Sequence, residues 1–474
     1  MARFAILGAG LSGLSVGLAL AKGGHEVVCL EREPEVGGLA RSWRTQGFTF
    51  DYGPHFLFGD QALPLLGRLT PGLELAPIRR DAERMFFKGR YFKFPFQPKD
   101  LLLNMHRGAL PGVLLQLLGK QLSGRKGSGA SVEEWVVEGV GRRLYDYISL
   151  AGYIEKLYGL PATQISRDWG IQKLKFLSRW RDAGLLTLAA RAWGEGRRVQ
   201  AYPVSYPPQG IDRIAQALAK SFEAAGGRVA LGAEAQQVDS TKPAVAYLQG
   251  GARQELAADL VISTIPVTTL AGLLAPAAPE GVRQVSAEAL RYRSVALLFI
   301  RLEAAEAAPH QCIYFTEPGA SFRRITEFRR LSAQLAPEGK TSLCVELTFS
   351  EGDADSQLSD AGVFERTAHE LAALKLLDPG RVAGYDVLRL PHAYPVYSLG
   401  YGAGLKGLLG WLAGVGKVLS IGRQGLFHYN TMANSVMEGY GAGERLAELP
   451  ASGWAGLVRD TYAARLAKYG GAAG

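Results

Sequence analysis

Apolar and polar positions change period several times along the chain, and the changes mark out its elements. Phe4-Ala5-Ile6-Leu7 is an uninterrupted apolar run, the pattern of a strand buried on both faces. Leu14 to Lys22 has helical spacing, and Val27-Val28-Cys29-Leu30 is a second apolar run. Phe48-Thr49-Phe50-Asp51 alternates with period two and predicts a strand ending in a turn at Tyr52-Gly53-Pro54-His55. Leu63 to Leu69 predicts a short helix, and Met85 to Phe96 an aromatic hairpin turning at Lys88-Gly89. Asp100 to Gly119 has helical periodicity around a proline break at Pro111, and Gly119 to Gly129 reads as a surface loop. Ser131-Val132-Glu133-Glu134 is a capping box. From it a helical pattern continues through Leu144, Tyr147 and Ile154 to Tyr158-Gly159. Another helix opens at Ile165-Ser166-Arg167 and passes Lys173 and Leu177. Residues 56–200 therefore read as a mostly helical insertion with one small sheet.

Beyond Tyr206-Pro207-Pro208, Ile211 to Ala225 is an amphipathic helix closed by Gly226-Gly227. Val229 to Leu231 predicts a strand, Ala244 to Leu248 is expected to continue its sheet, and Ala258 to Pro266 adds a buried strand. Arg291 to Leu302, Cys312 to Phe315, Arg323 to Phe328 and Thr341 to Leu347 predict an antiparallel sheet. A helix from Val363 to Leu376 and a strand from Ala383 to Leu390 follow. Val418 to Ile421 predicts a strand ending in the glycine turn Gly422-Arg423-Gln424-Gly425, ahead of a helix from Ser435 to Leu446. The expected division places residues 1–55, 201–290 and 411–474 in one domain, and 56–200 and 291–410 in another.

Composition supports two domains: 474 residues, 47% hydrophobic and 20% charged, are those of a globular chain too long for one simple core. Cys29, Cys312 and Cys344 have no paired spacing, so a reduced cytoplasmic compartment is expected, without disulfide or metal site. No targeting segment is read at the N-terminus, and no apolar run reaches the ~18 residues of a membrane span. The net charge of +9 fits an anionic partner (a nucleotide sugar, a carboxylated substrate or an acidic membrane surface) or a solvated basic surface. No basic run is interleaved with aromatics, which excludes a nucleic-acid platform. Two stretches raise peripheral membrane contact. One holds Arg179-Trp180-Arg181, Arg191, Arg197 and Arg198; the other holds Val113, Leu114, Leu115, Leu117 and Leu118, followed by Lys120 and Arg125.

The chemistry concentrates in the first sixty residues. Gly8-Ala9-Gly10-Leu11-Ser12-Gly13 sits between strand and helix, and Glu31 ends the second strand 18 residues later, the order of a dinucleotide-binding βαβ unit. Gly8 allows the tight turn, Gly10 the approach of a pyrophosphate, and Gly13 close helix packing. The diphosphate belongs at the helix N-terminus, and Glu31 suits a ribose hydroxyl. FAD and NAD stay open on this motif alone. A second glycine turn, Gly37-Gly38-Leu39-Ala40-Arg41, argues for FAD, with Arg41 placed to pair with a phosphate. A helix N-terminus at Ser435 would face the flavin pyrimidine and raise the reduction potential.

Glu31 to Ser42 and Asp51 to His55 resemble the flavin amine oxidase superfamily, which includes protoporphyrinogen oxidases, phytoene-type desaturases and UDP-galactopyranose mutases. Ile154 to Gly159 with Trp169, Lys88 to Phe92 with Phe94 to Gln97, Phe322 to Phe328, Ala393 to Val396, and Gly422 to Gly425 with Tyr429-Asn430 are similar to the mutase-like branch. The resemblance implies an α/β fold: a Rossmann-type FAD-binding domain with an inserted mixed α+β substrate domain. It implies FAD contacts at Gly8, Gly10, Leu11, Ser12, Gly13, Glu31, Arg32, Gly38, Leu39, Arg41, Gly53, Pro54, His55, Gly422, Arg423, Tyr429, Asn430, Met432 and Ala433. Phe94, Tyr314, Arg324 and Tyr394 fall on substrate positions, and His55, Arg324 and Lys173 on catalytic ones. Plainer roles stand beside these: a capping histidine, a structural ion pair, core aromatics.

The activity implied is an FAD-dependent oxidoreductase that moves a substrate hydride to flavin N5, with an electron acceptor that the sequence does not name. The alternative is a non-redox mutase using reduced FAD as nucleophile on a nucleotide sugar, and a flavin-bound scaffold without turnover is the third. Three departures weigh against the mutase. Lys173 stands where that branch has a diphosphate arginine, Pro54 stiffens the histidine loop, and Asn430 to Asn434 lacks the acid and histidine found there.

Overall fold

The computed structural model describes residues 1–58, 62–78, 83–123, 129–174 and 204–469. At its centre the strand Arg3–Leu7 pairs in parallel with Glu26–Glu31 on one side and Leu260–Ser263 on the other. Arg228–Leu231 and Val418–Ser420 extend this five-stranded parallel sheet at its two edges. Nearly every side chain of the three central strands is buried, as expected for a sheet covered on both faces. This is a Rossmann-type parallel sheet, and it carries an inserted mixed α+β part.

The inserted part is built on a seven-stranded sheet. Its long strand Tyr292–Leu302 lies between Thr341–Phe349 and Val382–Pro395. Alternation along it separates two cores: Val295, Leu297 and Phe299 face inward, while Ala296, Leu298 and Ile300 face an outer core with Val363 and Leu371 of the helix Asp360–Ala373.

Four expectations need correction. Ala244–Gln249 does not extend the parallel sheet; it pairs antiparallel with Ala233–Asp239 and Ala252–Ala257 in a separate four-stranded sheet. A tight Gly250-Gly251 turn, with φ of +58° and +81°, favours the local hairpin. The helix expected from Ser131 to Tyr158 is three helices, Val132–Val140, Arg142–Tyr147 and Leu150–Tyr158, broken where Gly141 (φ +90°) and Ser149 (φ +49°) leave helical geometry. Pro111 does not break a helix. It sits in the first turn of Leu110–Ser123, where its missing N–H costs nothing, and the break precedes it at Met105–Ala109. The hairpin Glu83–Phe87/Arg90–Lys93 is no separate small sheet either, since Glu83–Phe87 pairs with Cys312–Phe315. The capping box at Ser131 is present in both directions. Leu177, the arginine-rich stretch 179–198 and Arg125 lie outside the described residues.

One buried carboxylate joins the chain on either side of the first insertion. Asp51 accepts hydrogen bonds from Ser42 Oγ (2.8 Å), Tyr206 Oη (2.5 Å) and the Ile211 N–H (3.0 Å). Asp212 is bound in turn by the Arg44 fork (2.6 and 2.9 Å). Burial, with a smaller push from Asp212, lifts Asp51 from 3.8 to about 6 against those three donors. Because folding raises this pKa, protonated Asp51 stabilises the fold below about pH 4, and that contribution is lost as pH rises through about 6. The thermal midpoint should therefore fall across this window, and Asp51→Asn should flatten the fall. An equal pH slope in the two proteins would show that Asp51 is not its source.

Candidate functional site

The first glycine turn is held by backbone geometry. Gly8 has φ +95°, and its N–H donates to the Leu30 carbonyl (2.8 Å). A Cβ on Gly13 would run into the Gly8 carbonyl, so only glycine lets the helix Leu11–Lys22 pack this close. Gly10 differs: its backbone is extended (φ −74°, ψ 179°), and a Cβ there would meet nothing within 4 Å. A single bridge to Gly37 sets the second glycine turn beside it. Gly422 closes another side, close enough to Ser12 that a Cβ would strike its hydroxyl.

The helix Met432–Glu448 runs parallel to the first helix. Gly439 approaches Ser12, Gly443 approaches Val16, and Ala447 approaches Gly23. Ser12 Oγ donates to the Ser435 carbonyl (3.2 Å). Leu11 and Ser12, and Met432 and Ala433, therefore begin helices at the same end, where both dipoles concentrate positive charge. An open glycine face between two helix N-termini fits a dinucleotide diphosphate.

The remaining expected FAD residues surround this cradle unevenly. Glu31 is buried and accepts from the Ala9 N–H (2.7 Å) and the Glu33 N–H (3.0 Å). Arg41 donates from Nε to the Gly38 carbonyl (3.0 Å) and from Nη1 to Glu33 (3.2 Å), so it braces the second turn beside the half-buried Leu39. Arg32 lies on the surface, paired with Glu33.

A second cluster arises from strand register. Tyr314 faces Arg324, and Arg324 faces Glu346, as direct cross-strand partners. Their neighbours Ile313, Ile325 and Val345 point to the outer core, so period two alone puts the three polar side chains on the inner face. Arg324 donates to Glu346 through Nε and to Tyr314 Oη through Nη1 (3.3 Å). Arg323 donates from Nη2 to Glu346 Oε2 (2.5 Å) and Tyr394 Oη (2.5 Å). Burial would raise the Glu346 carboxyl, but the two guanidinium groups outweigh it and hold it below the usual range. Tyr314 donates to Glu83 (3.3 Å), with the Phe94 ring 4.5 Å away.

His55 Nδ1 donates to the Gly53 carbonyl (2.8 Å). Burial and the Arg324 charge lower the imidazole to about 4, so the ring is neutral near pH 7. Gly53 and Pro54 carry the chain from Asp51 to this point.

Tyr394 and Tyr429 stack at 5.8 Å. Lys173 Nζ lies 3.1 Å from the centre of the Tyr429 ring, and the Arg423 guanidinium 4.4 Å from it. Arg423 is fixed by donating to the carbonyls of Asn430 (2.8 Å) and Ala393 (2.9 Å). Asn430 itself donates to Glu438 (2.6 Å). Burial would raise the Tyr429 phenol, but Lys173, Arg423, Arg323 and Arg324 pull it down to about 8. Burial lowers Lys173 to about 8 as well, against the upward pull of the adjacent Tyr429.

His55, Arg324, Lys173, Tyr314, Tyr394, Arg423 and Tyr429 thus form one cluster. Arg323 and Glu346 belong to it and are missing from the sequence-based assignment. Glu346 had a signal, the only charge within Thr341 to Leu347. Among the described residues no group of three or more His, Cys, Asp or Glu could hold a metal ion, and no helix is long and apolar enough to cross a membrane.

Residues 11–404 match the family model described as flavin containing amine oxidoreductase. The 4,4'-diapophytoene desaturase (4,4'-diapolycopene-forming) of a Methylomonas species is 24% identical over 422 residues, 78% of each chain. A crystal structure of reduced UDP-galactopyranose mutase has a TM-score of 0.79 at 20% identity, covering 97% of this chain and 99% of that one. A putative protoporphyrinogen oxidase from Exiguobacterium sp. 255-15 has a TM-score of 0.73 at 17% identity, covering 94% and 98%. At these identities the solved structures speak for the fold alone, and the family match reaches further. The chain belongs to the flavin-containing amine oxidoreductase family, as an FAD-dependent enzyme.

Proposed function

We propose that this enzyme removes a hydride from a small organic anion, with FAD held by residues 1–55, 201–290 and 411–474 and the substrate by 56–200 and 291–410. One observation carries the reading. The Gly53-Pro54-His55 segment runs from the Asp51 hairpin to the charged cluster, where a Cβ on Gly53 would lie 3.7 Å from both Arg324 Nη2 and Glu346 Oε1. FAD, when bound, supplies the hydride acceptor at flavin N5. Gly8, Gly10 and Gly13 with Leu11, Ser12, Met432 and Ala433 would hold its diphosphate, and Glu31 a ribose. Arg323, Arg324, Arg423 and Lys173 outnumber Glu346 and Glu83, and the neutral His55 leaves that excess in place, so the cluster favours a negative group. A substrate carbon bearing O–H or N–H loses a proton along with the hydride. Tyr429 Oη, poised by Lys173, is the group that takes it.

The cradle predicts a contrast. Gly10→Val keeps an allowed backbone, and its Cβ meets nothing within 4 Å, so the protein should fold with the thermal midpoint of the FAD-stripped parent yet purify without yellow colour. Gly13→Val should fail to fold. A colourless, stable Gly10 variant supports the diphosphate position; one that retains FAD refutes it.

The proton step predicts a rate of flavin reduction that rises with pH and levels off above about 8, as the Tyr429 phenol loses its proton. Tyr429→Phe should lower that rate on the order of 10²-fold and abolish the rise. A variant with the parent pH profile would remove Tyr429 from the chemistry.

The arginine cluster also favours a second reading, a mutase acting on a nucleotide sugar. Oxidised and dithionite-reduced protein should be incubated anaerobically with UDP-galactopyranose and the products separated by chromatography. The redox reading expects no furanose and no UDP-induced change in flavin absorbance. Conversion by the reduced protein alone, with UDP binding lost in Arg324→Ala, would establish the mutase instead.

A further inference from the structure

The helix Leu110–Ser123 is apolar on two sides. Val113 is buried and Leu117 partly buried against the main core, while Gln116 accepts from the Arg143 N–H (2.7 Å). That stripe accounts for the helix's place in the fold. The other stripe, Pro111, Leu114, Leu115 and Leu118, has the same helical spacing and faces outward. Leu115 is 72% exposed and Leu118 48%, and Leu103 on the preceding helix Pro98–Asn104 is 73% exposed. Scattered exposed leucines are ordinary; a whole helical stripe of them is not.

Cations flank the stripe. Arg107 is exposed in the connection just before the helix. The Arg143 guanidinium lies against Gly112 in its first turn, close enough that a Cβ there would strike it. Lys120 near its end donates to the Glu138 carbonyl (2.5 Å).

We propose that this leucine stripe is a docking surface for an anionic lipid bilayer, inserting at the headgroup boundary while its flanking cations meet acidic headgroups. Size separates this occupant from a second copy of the chain. A stable protein interface needs ~800 Å² per partner, more than a single leucine stripe supplies. A lipid interface binds a small apolar wedge when basic residues add a second signal. The helix lies along the surface, because its inner stripe stays packed in the core.

The test is vesicle flotation of the full FAD-loaded protein. Vesicles of phosphatidylcholine alone are compared with vesicles of equal parts phosphatidylcholine and phosphatidylglycerol. The protein should float with the mixed vesicles, less with phosphatidylcholine, and less at high salt. The triple variant Leu114→Gln, Leu115→Gln, Leu118→Gln changes outward positions only and should keep its flavin spectrum while losing about tenfold or more of the bound fraction. Arg107→Glu should weaken the preference for phosphatidylglycerol. Wild-type protein that stays in the buffer overturns the proposal, and so does a triple variant that floats equally well. A wild-type dimer in sedimentation velocity that the triple variant turns into monomer assigns the stripe to a second copy instead, and also overturns it.

Discussion

Asp51 is where the two halves of the molecule are tied. Its carboxylate is fully buried, and all three of its donors come from elements that the first insertion separates or borders: Ser42, Tyr206 and Ile211. The neighbouring Phe50 stacks on Phe299 (4.6 Å) of the long inserted strand. A buried carboxylate without donors would be very costly, so the chain can satisfy Asp51 only by returning after the insertion to close the helix Asp212–Ala224 against the hairpin. The position of Gly53-Pro54-His55 follows, since that segment leaves directly from Asp51.

The arginine–glutamate–arginine arrangement follows a different logic. Arg323 and Glu346 are almost wholly buried, and such groups seldom add net stability over a well-packed apolar set. Their cost makes sense as specification. Glu346 binds one guanidinium with each oxygen, so two cations that would repel are held side by side with defined directions. The tyrosines at 314 and 394 take further donors of the same two arginines. What results is an excess of positive charge that cannot relax by rotating away.

The nucleotide-binding half was legible because its constraints are local. Glycines at 8, 10 and 13, the apolar run before them and the acid after the second run lie within thirty residues, and each has one physical purpose. The charged cluster was only partly legible. Arg324, Tyr314 and Tyr394 could be assigned by resemblance, but their grouping depends on which strands pair, and pairing across the sheet leaves no local mark. Arg323 was masked by its neighbour, and Glu346 looked like one charge in an apolar strand. The helices Tyr401–Val415 and Ala451–Tyr469 were missed for a compositional reason: glycine recurs through the first, and the apolar positions of the second are diluted by alanine and glycine. Packing of Leu405, Leu408, Leu412, Trp454 and Tyr462 into the core overrides that weak propensity.

The parallel pairing of the first helix with Met432–Glu448 sets an order of assembly. The first strand–turn–helix emerges before its partners: its strand needs Leu260–Ser263 beside it, and its helix needs Gly439 and Gly443 packed on Ser12 and Val16. More than four hundred residues separate Ser12 from Ser435. Until the late segment arrives, the glycine turn has one helix end beside it rather than two. The second helix end of the cradle is thus supplied by a segment far along the chain from the first, and the first two strands lack their flanking partners until Arg228–Leu231 and Leu260–Ser263 have emerged.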